Sequence, residues 1–419
     1  MKNRLPILTL IIFMSGMINA QIRPYDRSGI NLFEPQKKEN VIYDGFRIKL
    51  GGSFTQSFQS LSHSNTSTAD PGLVDIVPGF NTANANLYLD TYLADGVTLN
   101  MTLYLSSRHH NETWVKGGYL QLDKLPFIKS DFLDNIMNYT TIKVGHMEIN
   151  YGDAHFRRSD NGNSIYNPFV ENYIMDAFTT EIGAEINFSY NGFLALGAVT
   201  NGKIKGDILK GVEYQDASNG KSKPAFIGKL GFDKYIGDNT RLRLTGSAYY
   251  TAGSISNTLY GGDRAGSHYY GVMDANLATT TFTSGRFNPG FTDKVRSLMG
   301  NLLLKYKGLE WFTTLESSQG RSKTETEERK ANQFATDLLY RFGRTDNFWL
   351  GGRYNVVKSE LSGNDIKIDR FAFSGGWFIT RNILTKLEYV SQKYDGFPLS
   401  DLRNGGKFNG IVLEAVIGF

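Results

Sequence analysis

Arg157 and Arg158 stand side by side in the densest run of reactive side chains in the sequence, between Lys143 and Glu185, with Glu148, Asp153, His155, Asp160 and Glu171 around them. Adjacent guanidiniums present fixed, permanently charged donors to anionic groups, and carboxylates this close temper that field. Catalysis would need more than charge. The six histidines, His63, His109, His110, His146, His155 and His268, include no His-Glu-x-x-His metal pair. Gly220-Lys221-Ser222 lacks the upstream glycine of a phosphate-cradling loop, and no Gly-x-Ser-x-Gly turn occurs. His109-His110 with Glu112 has the residue types of a metal site, but in a short loop these side chains read as solvated. A triad assembled across strands is recognised by geometry, so the sequence leaves that case open. No catalytic residue, metal ligand or cofactor is assigned.

Side chains act together only if the backbone holds them, and the backbone signal here is alternation. Phe46, Ile48, Leu50, Gly52 and Phe54 alternate with Arg47, Lys49, Gly51, Ser53 and Thr55, and Ile182, Ala184, Ile186 and Phe188 alternate with Glu181, Gly183, Glu185 and Asn187. Successive strand residues point to opposite faces, so each such segment has one apolar and one mixed face. About sixteen segments of this kind recur along the chain. Their connections alternate in length. Asp95-Gly96, Asn191-Gly192 and Lys307-Gly308 are short, and Asp-Gly and Asn-Gly suit the positive backbone angles of tight hairpins. The connections near 59–78, 152–177, 201–223, 252–292, 318–330 and 395–407 are mostly long. Two pieces stand outside this rhythm: the stretch 21–43, and the insertion 125–138 on the short-turn side. In the insertion, Ser130 or Asp131 is placed to cap a short helix presenting Phe132, Leu133, Ile136 and Met137. Burial of that apolar face within the protein is expected, with docking of a partner as the alternative.

Met1 to Ala20 has Lys2 and Arg4, an apolar run from Leu5 to Met14 and a stretch ending Ile18-Asn19-Ala20, the layout of a cleaved secretory signal. With no cysteine in the chain, a lipid-modified cysteine at the cleavage point is excluded. No later stretch approaches the roughly 18 apolar residues of a spanning helix. The chain has 45 basic and 41 acidic residues, and without Lys2 and Arg4 the excess falls to two, which gives no warrant for nucleic-acid binding. Glycine, at 45 of 419 residues, and aromatics, at 13%, suit tight turns and aromatic belts.

These patterns predict an all-β fold: a closed antiparallel transmembrane β-barrel of about 16 strands, with short periplasmic turns and long extracellular loops. The expected divisions are a signal peptide at 1–20, an N-terminal periplasmic segment at 21–43 and the barrel at 44–419. At the end of the chain, Ile411, Leu413, Ala415, Ile417 and Phe419 share one face. A terminal amphipathic strand ending in Phe resembles the closing strand of Gram-negative outer-membrane barrels. Closure satisfies every backbone group in hydrocarbon, so the strand near Phe46 should pair with the one ending at Phe419.

Placing the apolar faces toward lipid turns Arg47, Lys49, Arg241, Arg243, Lys305, Arg341 and Arg353 inward, with Glu181 and Glu185 among the opposing carboxylates. Gly145 and Gly152 suit a bent strand that lets the following connection turn into the barrel. The layout Val144-Gly145, Tyr151-Gly152, a polar stretch and then Glu181-Ile182-Gly183-Ala184-Glu185 is similar to the corresponding part of the phosphate-selective type of outer-membrane porin. The resemblance implies a loop that folds inward and narrows the lumen. Here the dense basic eyelet of that family is missing, which puts phosphate selectivity in doubt. Gly152 to Ala177 is therefore expected to form a constriction, with Asp153, His155, Arg157, Arg158, Asp160 and Glu171 on it, or a compact loop whose charges neutralise each other.

The function so implied is passive diffusion of small polar solutes through an outer-membrane channel, with a weak preference for anions. A barrel subunit of an outer-membrane assembly, transport or secretion complex is the alternative. Expected partners are outer-membrane lipid and lipopolysaccharide, the solutes themselves, and either further copies in a homotrimer or a larger complex.

Overall fold

The computed structural model describes residues 23–34, 43–106, 112–160, 163–204, 223–254, 256–262, 265–275 and 283–419. The expected signal, 1–20, lies outside them. The wall begins with β1 (Arg47–Ser64), β2 (Asn84–Ala94), β3 (Val97–Leu105), β4 (Trp114–Leu122), β5 (Thr140–Glu148), β6 (Thr180–Tyr190), β7 (Phe193–Thr200) and β8 (Ala225–Ile236). It continues with β9 (Thr240–Thr251), β10 (Lys294–Tyr306), β11 (Leu309–Arg321), β12 (Arg329–Phe342), β13 (Phe348–Leu361), β14 (Asn364–Phe378), β15 (Ile383–Asp395) and β16 (Lys407–Gly418). Each strand pairs antiparallel with its neighbours in sequence, and β1 pairs with both β2 and β16, so the sheet is a closed barrel. A two-residue piece, Gly79–Phe80, adds a short pairing to β1.

Closure reaches the last residue. Gly52 and Phe419 exchange two backbone hydrogen bonds of 2.9 Å, and the Phe419 ring lies where a Cβ on residue 52 would stand. The terminal strand shows why the wall faces the way it does. Val412, Glu414 and Val416 are fully buried inside, while Ile411, Leu413 and Ile417 are 49%, 47% and 42% exposed outside. Aromatic side chains crowd the short-turn end of that outer face. Phe342, Phe348 and Trp377 stack across three strands at 5.6 and 5.8 Å, and Phe193 meets Phe232 edge-on at 5.2 Å. Such a ring suits a membrane interface, where an aromatic body and a wet end are both accommodated.

The turns follow the predicted rhythm with one departure. Asn191 and Lys307 take positive φ at 48° and 51°, as tight hairpins demand. On the opposite end, β13 and β14 are joined by the two-residue Ser362-Gly363 where that end otherwise carries longer connections. The insertion forms α1 (Asp131–Met137), with the Ser130 hydroxyl accepting from the Leu133 amide at 3.4 Å. Its apolar face does not turn in as expected: Met137 is buried, but Phe132 is 71% exposed and Phe127 beside it 67%. A helix this short has too few side chains to cover its own face once it projects below the wall.

Candidate functional site

The interior is where charge, geometry and chain topology meet, and among the described residues three segments enter it. The first is the connection 149–179. It leaves the wall at Ile149, whose amide bonds to the Thr179 carbonyl at 3.2 Å, and bends at Gly152 with φ of 73°. A side chain at that glycine would run into Met299. From there the segment crosses the lumen, and polar side chains of the far wall take up its backbone. Asn355 accepts from the Ile174 amide at 2.6 Å, Gln333 from Met175 at 2.9 Å, and Glu388 from Val170 at 2.8 Å. Lys386 donates to the Phe169 carbonyl at 2.9 Å and Arg353 to that of Glu171 at 2.7 Å. A buried loop is tolerated only when its backbone groups are paired, and the wall pairs them.

The second is the described part of the connection 252–293, which folds back into the mouth. Tyr260, Tyr269, Phe287 and Phe291 are all buried, and Tyr260 donates to Glu316 at 2.7 Å. His268 pairs with Glu414 at 2.6 Å. Burial works against its charged form, but Glu414 and Glu171 outweigh that and raise its pKa. The aromatic side chains of this loop thus pack inward as a fold-back; Phe282, in the same loop, lies outside the described residues.

The third is the N-terminal stretch, expected to stand outside the barrel as a periplasmic segment. Its residues 23–34 lie inside the wall. Asn31 donates to Glu310 at 2.8 Å, Glu34 pairs with Lys229 and Arg243 at 2.7 Å each, and the Phe33 ring sits 4.1 Å under the Arg243 guanidinium. Tyr25 stacks on Tyr88 at 3.7 Å, and the Arg27 amide bonds to the Arg381 carbonyl in the short turn 379–382. Nothing periodic marks this stretch, so alternation could not place it. Its one sequence signal is the presence of Tyr25, Phe33, Asp26 and Glu34 in what would otherwise be a linker.

The predicted constriction residues fall into two groups. Asp153, Arg157 and Glu171 are consumed by protein partners. Asp153 takes two 2.8 Å bonds from Arg243 and pairs with Lys229 at 2.6 Å; burial pushes its pKa up, but these cations hold it well below the usual range. Arg157 pairs with Glu310 at 2.8 Å and lies 4.6 Å over the Phe312 ring. Glu171 meets Arg286 at 2.8 Å; against the upward push of burial, Arg286, His268 and Arg370 bring it down to about 2. Glu34 is likewise brought to about 2 by Lys229 and Arg243 against burial.

His155, Arg158 and Asp160 instead line a cavity of about 250 Å³ left between the inserted segments and β2–β5. His155 sits between Glu148 at 2.7 Å and Asn150 at 3.1 Å, Arg158 pairs with Asp176 while covering the Phe178 ring at 3.9 Å, and Asp160 pairs with Lys116. Lys143, also lining, pairs with Glu185 at 3.1 Å. Among the described lining residues, Arg23 has no carboxylate at ion-pair distance and Asp90 has no cation. They leave the cavity close to neutral.

The wall residues named from the sequence lie on the inner face, most of them covered. Arg241 holds Asp233 at 2.8 Å and the Asn31 carbonyl, Arg341 holds Glu310 at 3.1 Å, Arg353 holds Asp337 at 2.7 Å, and Glu181 accepts from Tyr249 at 2.8 Å. Lys305 reaches Glu310 only at 4.0 Å, and Arg47 and Lys49, near the short-turn end, keep contact with solvent. The lumen of the expected channel is thus filled at its centre by three segments of the same chain, and the wall charges pair partly with those segments and partly with one another.

No family model and no curated protein matches the chain. Solved structures do. An anion-selective porin from Comamonas acidovorans matches over 90% of this chain and 100% of its own, at 9% identity and a TM-score of 0.53. OmpT, an outer membrane protein of Vibrio cholerae, matches over 91% of this chain and 100% of its own at 10% identity and a TM-score of 0.50, and its trimer form over 90% and 100% at 12% and 0.50. The chain therefore has the porin-type barrel fold.

Proposed function

We propose that this barrel lies in the outer membrane of a Gram-negative bacterium and lets small polar solutes diffuse along the β2–β5 side of its lumen. An apolar outer belt, an aromatic ring at one end and a sheet without free edges suit a lipid bilayer. The observation that carries the channel reading is the polar cavity between the inserted segments and β2–β5, lined by residues from the wall, the 149–179 connection and the N-terminal stretch. With its charges close to balanced, any preference for anions is weak.

Recording from the purified barrel in planar bilayers tests the reading. Discrete open steps with a reversal potential near zero in a salt gradient are expected, and electrical silence would overturn it. The filled centre also favours a second reading, a barrel that serves as a subunit of a larger outer-membrane complex. Silence combined with co-purifying partners would support that instead. Assembly as a homotrimer belongs to the proposal, in keeping with the trimer form of the Vibrio cholerae protein, and cross-linking in intact outer membranes checks it.

A further inference from the structure

The β2–β5 cavity has features that plain passage of ions does not use. Arg23 Nη2, Asn100 Nδ2 and Asn163 Oδ1, on three residues lining it, are buried without a hydrogen-bond partner among the described residues. Two are donors and one is an acceptor, and leaving such groups unpaired is costly. Tyr25 and Tyr119 line the same space and are half-buried, each with a flat apolar ring and a polar tip. The fixed charges nearly cancel in sum, so an ion entering the cavity meets little net field. At about 250 Å³ the space lies just below the roughly 300–1,000 Å³ of sites for drug-sized ligands.

We infer that this cavity is a binding subsite for a neutral, polyhydroxylated solute of single-sugar-ring size. Each hydroxyl both donates and accepts, so one such ring supplies partners to Arg23, Asn100 and Asn163 together, and its apolar face covers an aromatic ring. A carboxylate would satisfy Arg23 but would bring its charge toward Glu148 and Asp90. A simple cation would leave both unpaired donors as they are.

The inference rests on the channel reading, and the experiment separates the two. In the full-length barrel, D-glucose is titrated against single-channel current, and saturation-transfer NMR of the detergent-solubilised barrel follows binding without need of conduction. A saturable fall in current, beyond the change in bulk viscosity, and transfer to glucose protons are expected. Tyr119→Ala should weaken both by roughly 3- to 10-fold, while Tyr119→Phe, which keeps the ring, retains them. Glucose acting only through viscosity and showing no transfer would overturn the subsite while open steps persist. Saturable block by benzoate but not by glucose would overturn it in favour of an anion site. Transfer to glucose in an electrically silent barrel would uphold the subsite and overturn the channel.

Discussion

Two neighbouring arginines have different fates. Arg157 is spent on Glu310, whereas Arg158 reaches the cavity with Asp176 behind it. Arg157→Ala should lower stability toward the low end of the roughly 3–5 kcal/mol that breaking a buried pair costs, since Arg341 and Lys305 remain beside Glu310. A fall in the temperature at which the barrel unfolds on heated gels would show it. Arg158→Ala removes one positive charge from the cavity lining and should move the reversal potential toward cation preference; an unmoved potential would count against a path along β2–β5. The sequence identified both residues as candidates for an inward loop, because two glycines before a long polar connection signal a bend. It did not separate them. Their partners come from a strand far along the chain and from the loop's own return, and one-dimensional spacing carries no record of such meetings.

At the scale of elements, the inserted N-terminal stretch is the part most open to test. Deleting residues 23–34 removes Glu34 from Lys229 and Arg243, and Asn31 from Glu310. Conductance should rise several-fold as the centre opens, and an unchanged conductance would show that the centre carries no potential path. Acid should act in the same direction. Glu34 and Glu171 have pKa values lowered from 4.5 to about 2, so their contribution is complete above about pH 4.5 and is lost as pH falls toward 2. Channel current compared at pH 6 and pH 3 should therefore show larger or noisier openings in acid. The wall itself was legible: alternation, Asp-Gly and Asn-Gly turns, and the difference between short and long connections come from local backbone chemistry. The inserted stretch was not, because it has no period and is held by long-range pairing.

For the whole molecule, the first and last strands of the wall meet. The terminal apolar stripe pointed to closure, and Gly52 and Phe419 make it, with the ring occupying the space a larger residue at 52 would need. Gly52→Val should reduce the fraction of chains that reach the heat-modifiable folded form, without altering the current of those that do. The interior tells a further story about assembly. Lys229 and Arg243 on the wall find carboxylates on the N-terminal stretch and the 149–179 connection, while Lys386 and Arg353 take up the loop's backbone. A hollow cylinder of the same strands would leave those cations facing an aqueous lumen without these partners. The stretch 23–34 thus sits where a mandrel would: the closed sheet surrounds a piece of its own chain, and the seam between first and last strands lies around it.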